Sequence, residues 1–147
     1  VGPFRAAKRL ADRYTPTFTQ VVLARFIREG HFERHVRRAR AMLAGRRQAL
    51  LEAIESHLKG EVAVSGTEAG LNLVLWVRGI RAGKTFEALI ARAADSGVGI
   101  YSVAPCSLTP PRRAGLLLGY AGLDEAAIRT GIERLAIVLR NARGRSS

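Results

Sequence analysis

The sequence predicts an α+β domain: a small antiparallel or mixed sheet covered by helices, preceded by a helical N-terminal arm. Three observations predict it. Up to about residue 60, apolar residues recur every three or four positions, the pattern of one helix face. Beyond that point the period falls to two, over short runs bounded by Gly and Pro. The resulting order, helices and then ββαββα, lays helices over one side of a short sheet. The chain has 147 residues, enough for one domain that buries roughly 70% of the surface exposed by its unfolded form.

The elements follow in order. Residues 4–13 carry a weak helical pattern. Thr15 and then Pro16 form a helix start, because Thr can cap and Pro suits the first turn. Phe18, Val21, Val22 and Phe26 follow at helical spacing, and Gly30 ends that helix. A long helix is predicted from Phe32 to Leu58, with Val36, Ala39, Leu43, Leu50 and Ile54 in one apolar stripe. Arg34, Arg37 and Arg38 project from its opposite face. Arg46 and Arg47 flank the stripe, where their stems can line the core edge while the guanidinium groups stay wet.

Strands are predicted over 61–65 and 71–77, joined by a hairpin at 66–70. Thr85 is expected to cap a helix that turns Phe86, Leu89, Ile90 and Ala93 inward and stops at Gly97. A third strand is predicted at 98–103, a loop with Pro110 and Pro111 at 104–114, and a fourth strand at 115–121. Asp124 caps the last helix, whose Ile128, Ile132, Leu135 and Leu139 face inward. The organisation expected is a helical arm at 1–30, a subdomain at 31–142 and a frayed tail at 143–147.

Composition narrows the function classes. No apolar run approaches the roughly 18 residues of a membrane helix, and VGPFRAAKRL has no apolar signal-peptide core. The expectation is a cytoplasmic protein with no membrane partner. Cys106 is the single cysteine, so no intrachain disulfide forms. The net charge is +12, carried mostly by arginine: only Lys8, Lys59 and Lys84 are lysines. Such a charge attracts phosphates, yet by itself it speaks of solubility and non-specific association, not of fold.

No constellation of residues forms a self-contained active site. His31 and His35 stand four apart on a helix, but Phe32 occupies the place where the zinc-protease pattern needs Glu, and no third ligand is near. Cys106 as a nucleophile would need a base, and the remaining histidine, His57, lies at a helix end. GLLLGYAGL at 115–123 lies in and after a strand, so it is not a phosphate-cradling loop. The helix at 32–58 is too long, and too fully committed to a core stripe, for a groove-reading helix. No metal, cofactor or catalytic residue is therefore predicted for this chain. A free-standing basic nucleic-acid-binding module stays as an alternative.

Five stretches carry a resemblance: VGP at 1–3, Gln20 through GHFERHVRRAR at 30–40, RRQALLEAI at 46–54, VSGTEAGLNLVLWV at 64–77 and GLLLGYAGLDEAAIRTGIERL at 115–135. From residue 1 to 142 the chain resembles the C-terminal part of a fold-type I, pyridoxal-phosphate aminotransferase-like domain, of the MocR subgroup of GntR-type bacterial transcriptional regulators. The resemblance implies a longer polypeptide with a DNA-binding winged helix-turn-helix domain, a linker and a dimerising, effector-sensing aminotransferase-like domain. On that reading residues 1–30 lead from a large subdomain absent from this chain, and DNA contact belongs to the helix-turn-helix domain. It also implies pyridoxal phosphate bound to a Lys in a Ser-Lys motif ahead of the VGP-like segment. Lys8, Lys59 and Lys84 lie in no such context.

In aminotransferases of this fold the strand matching 115–121 carries an Arg that clamps the substrate α-carboxylate, and the resemblance puts Leu117 in its place. A guanidinium fork matches a carboxylate bidentately, and a leucine leaves it unpaired. The resemblance thus implies effector sensing without turnover, with the small domain of a class I/II aminotransferase as the alternative. Tyr101, Ser102 and Leu117 are the candidate pocket residues, and Arg112 and Arg113 are candidates to replace the missing cation.

Overall fold

A computed structural model describes residues 1–12, 16–68, 70–109 and 111–143. Its elements are α1 (Gly2–Asp12), α2 (Thr17–Arg28), α3 (His31–Leu58), β1 (Val62–Ser65), β2 (Asn72–Arg81), α4 (Lys84–Asp95), β3 (Tyr101–Ser102), β4 (Arg113–Gly119) and α5 (Glu125–Arg143). The chain falls into two compact units, residues 1–40 and 41–147.

The first unit holds α1, α2 and the start of α3. No residue of α1 or α2 is buried. Ion pairs one helical turn apart, Lys8–Asp12 at 2.7 Å and Arg25–Glu29 at 2.6 Å, support the helices locally. The Phe26 ring stacks on His31 at 5.6 Å. Phe18 is 82% exposed, and Val21, Val22 and Leu23 are also on the surface.

The second unit is a four-stranded sheet in the order β1-β2-β4-β3, antiparallel throughout. Alternation along the strands gives the sheet two unlike faces. Val62, Leu73, Leu75, Val77, Ala114, Leu116 and Leu118 point to one face and are buried. Leu50, Ile54 and Leu58 of α3, Phe86, Leu89 and Ala93 of α4, and Ile128, Ile132, Leu135 and Leu139 of α5 complete that core. Each fully buried leucine contributes about 1.5–3 kcal/mol over its exposed state.

Polar ties fasten the edges. Arg46 donates to the Ala121 carbonyl, and Arg47 donates to the Thr67 carbonyl at 2.8 Å. Both side chains are half-buried, and their heads close loops that follow β4 and β1. Arg129 of α5 pairs with Glu52 of α3 at 3.1 Å. The Gln48 amide, and then Arg129, hold the Glu52 carboxyl below the usual carboxylate range.

Several expected boundaries move. Thr15 lies outside the described residues, and Pro16 takes the cap position ahead of α2. Gly83, not Thr85, precedes α4, and no side chain caps that helix. The third strand shrinks to Tyr101–Ser102, the residues that form ladder pairs with β4, although the Val103 N–H still donates to the Gly115 carbonyl at 3.0 Å. Val98 and Ile100 are buried without joining the ladder. β2 runs on to Arg81 through an irregularity beyond Trp76, where Gly79 adopts φ 77°, a conformation that costs glycine little. That extension brings Arg81 opposite Arg113, so β4 starts two residues early. Residues 144–147 are outside the described range, whereas Arg143 is engaged: it donates to Glu61 at 2.9 Å and to the Arg78 carbonyl at 2.9 Å.

Candidate functional site

Within residues 41–147 the three helices cover one face of the sheet, and the candidate site is the other face. Cross-strand pairs place its residues: Ser65 beside Val74, Ala63 beside Trp76, Asn72 beside Gly119, Val74 beside Leu117 and Trp76 beside Gly115. Tyr101 pairs with Leu117 and is 70% exposed. The structure thus brings Tyr101 and Leu117 together. Ser102 pairs with buried Leu116 and belongs to the opposite face, where its Oγ accepts the Ala104 N–H at 3.1 Å.

The centre of this face is Trp76. Its Nε1–H donates to Ser65 Oγ at 3.1 Å. The other edge of the ring crosses β4 at Gly115, where an added Cβ would stand 2.8 Å from Trp76 Cζ3. Glycine there lets the indole approach the neighbouring backbone. The Arg113 guanidinium lies over the indole, 5.4 Å from the ring centroid.

Arg113, Gly115 and Leu117 alternate onto one face, so Arg113 shares the side of the sheet that bears Leu117. Sequence reasoning placed Arg113 in a loop and gave Trp76 no part in the site. Gly115, directly ahead of the Leu116–Leu118 run, was the signal, since a strand glycine often marks a close approach by a neighbour. Arg78, Arg81, Arg112 and Arg113 together line a concavity of about 810 Å³ at this end of the β2–β4 pair.

The other candidates stay apart. His31 Nδ1 contacts Arg34 at 2.8 Å, and its Nε2 lies 3.3 Å from Glu29. Among the described residues no group of three His, Cys, Asp or Glu is placed to hold a metal. Cys106 is exposed, and His57 faces Glu133 at 3.6 Å. No helix among the described residues is long and apolar enough to cross a membrane.

Comparisons with known proteins add relatives to this geometry. No family model matches the chain. It is 35% identical over 133 residues to the uncharacterized HTH-type transcriptional regulator YhdI of Bacillus subtilis, covering 90% of this chain and 28% of that protein. It is 34% identical over 132 residues to the probable rhizopine catabolism regulatory protein MocR of Rhizobium meliloti, covering 90% of this chain and 26% of that protein. Over about 90% of its length the chain is thus similar both to regulators of the MocR kind and, at 29% identity, to the 2-aminoadipate transaminase of Thermus thermophilus. It spans only about a quarter to a third of the length of such relatives.

The fold of this segment is that of aminotransferases. A crystal structure of LysN, the α-aminoadipate aminotransferase of Thermus thermophilus, complexed with N-(5'-phosphopyridoxyl)-L-leucine, superposes with a TM-score of 0.80 at 27% identity. The match covers 95% of this chain and 35% of that one. A multiple substrate aminotransferase from Thermococcus profundus shares the fold at a TM-score of 0.84.

Pyridoxal phosphate in such enzymes needs an amine for its imine, and this chain's lysines do not fit that need. Lys8 bonds Asp12 and Lys59 bonds Glu55 at 2.5 Å, and both hydrogen bonds hold the ammonium groups above their usual range. An imine-forming lysine needs the opposite shift. Lys84 opens α4, on the helical side of the sheet. Within residues 41–147 neither lysine, Lys59 after α3 or Lys84 on α4, stands on the open face.

Proposed function

We propose that this chain forms one wall of the effector pocket, and part of the dimer surface, of a MocR-type transcriptional regulator, with no catalysis of its own. The observation that carries the reading is Leu117. It sits on the open face, at the place where the resemblance expects the carboxylate-binding Arg, and Val74 and Tyr101 flank it. An α-carboxylate bound there would lose its water without gaining a guanidinium, which costs several kcal/mol in a closed pocket. Ligand recognition without transamination follows from that arrangement.

The remaining parts belong to polypeptide outside this chain. DNA contact falls to a helix-turn-helix domain, as the names of the regulator relatives suggest. Pyridoxal phosphate would be held by residues outside this chain. The exposed Phe18, Val21, Val22 and Leu23 on α2 offer apolar surface for a partner subunit, in line with a homodimer. A cytoplasmic location suits a regulator of transcription.

The test uses the native polypeptide that carries this sequence. Its intact mass is expected several-fold above 15.9 kDa. Loaded with pyridoxal phosphate and given 2-aminoadipate or aromatic amino acids, it is expected to show no turnover above background. Leu117→Arg is expected to raise that turnover. Transamination by the wild type at ordinary enzyme rates would move the chain to the aminotransferase alternative.

A further inference from the structure

We propose that Arg113 and Arg81 form an oxyanion receptor for a small organic acid whose apolar body lies against Trp76. Arg81 and Arg113 are direct cross-strand partners on β2 and β4. Like charges placed directly opposite each other repel. Among the described residues no carboxylate pairs with either side chain, nor with Arg78 or Arg112 in the same concavity. The acid at this end of the sheet, Glu61, is already held by Arg140 at 3.4 Å and Arg143 at 2.9 Å. An anion between the two guanidinium groups would remove the repulsion and match their planar forks.

The site is also shaped on its apolar side. Ser65 fixes one end of the indole and Gly115 admits the other, so the ring is held before any ligand arrives. Arg113 packs over that ring, which orients its guanidinium. Arg113 lies four residues from Leu117, roughly 13 Å along the strand. The anion would therefore sit well away from the place of an α-carboxylate. Recognition moves along the strand, and the ligand class is an organic acid with an apolar or aromatic body rather than a bare inorganic anion.

The inference rests on the reading of this face as an effector wall. Its test is direct binding to this chain, so its failure and the failure of the turnover test are separate results. Trp76 is the single tryptophan of the chain, and its emission reports the site. The probe is 3-phenylpropionate at low ionic strength, with 3-phenylpropionamide as the uncharged shape and inorganic phosphate as the bodiless anion. The acid is expected to change Trp76 emission saturably, the amide not at all, and phosphate more weakly than the acid.

Arg113→Gln and Arg81→Gln are each expected to weaken binding about tenfold or more, the scale of one charge-assisted bond. Arg113→Lys, which keeps the charge and loses the fork, should fall between. Arg92→Gln removes the same charge from α4 and should leave binding unchanged. Circular dichroism establishes that each variant is folded. Equal binding of acid and amide overturns the proposal. So does phosphate binding as tightly as the acid, or undiminished binding by Arg113→Gln and Arg81→Gln.

Discussion

Gly115→Ala tests the packing on which the open face depends. The added methyl would stand 2.5 Å from Val103 Cγ2, 2.8 Å from Trp76 Cζ3 and 3.0 Å from Trp76 Cε3. Carbon atoms pack comfortably at about 3.5–4.0 Å, so the overlap approaches an ångström on both sides. Neither neighbour retreats freely. Val103 is buried, and its N–H donates to the Gly115 carbonyl at 3.0 Å. Trp76 is tethered to Ser65. Overpacking of this kind costs about 1–3 kcal/mol. For a chain of this size that corresponds to a fall in Tm of roughly 3–10 °C, read by circular dichroism.

Trp76 emission should shift to longer wavelength in the same variant, because the ring must lift toward solvent. Gly99→Ala is the control: nothing lies within 4 Å of its added Cβ, and it should stay within about 0.5 kcal/mol of wild type. A Gly115→Ala chain that melts within about 1 °C of wild type, with unchanged emission, refutes the close approach of Trp76 to β4.

Two further outcomes are expected. Asp124→Ala removes the side-chain acceptor that takes the Ala127 N–H at 2.8 Å, and should destabilise the chain by about 1 kcal/mol in a chemical denaturation; Asp124→Asn should recover most of it. Glu52 has a lowered folded-state pKa, through Gln48 first and Arg129 second, so its stabilising share is present above the unfolded carboxyl pKa and lost as pH falls through the folded value. Thermal melts of wild type and Glu52→Gln should therefore differ near neutral pH and converge in acid, and a difference that persists in acid contradicts the linkage.

Much of the architecture is legible from periodicity. α3 and α5 stand out because a stripe such as Ile128, Ile132, Leu135 and Leu139 repeats along a whole helix face, and Asp124 marks where α5 begins. Short strands are harder to bound. Nothing local shows that Val98 and Ile100 are buried outside the ladder while Tyr101 and Ser102 join it, since that depends on where β4 passes. The run RGIR after Val77 looks like the end of a strand, with two cations and a glycine. It stays in the sheet because the irregularity around Gly79 lets Arg81 reach Arg113. Thr85 looks like a cap from its residue type, but the helix starts two residues earlier, with Gly83 in the cap position.

By itself the sequence determined the helices-on-sheet class and the apolar character of position 117, because both depend on residue types at short, regular spacing. Only the tertiary structure decided which residues share the open face. It set Tyr101 beside Leu117, turned Ser102 to the core side, and joined Ser65, Trp76, Gly115 and Arg113 across three strands. Those neighbours are far apart in the chain, and their meeting depends on strand register, where a slip of one residue sends every side chain to the opposite face.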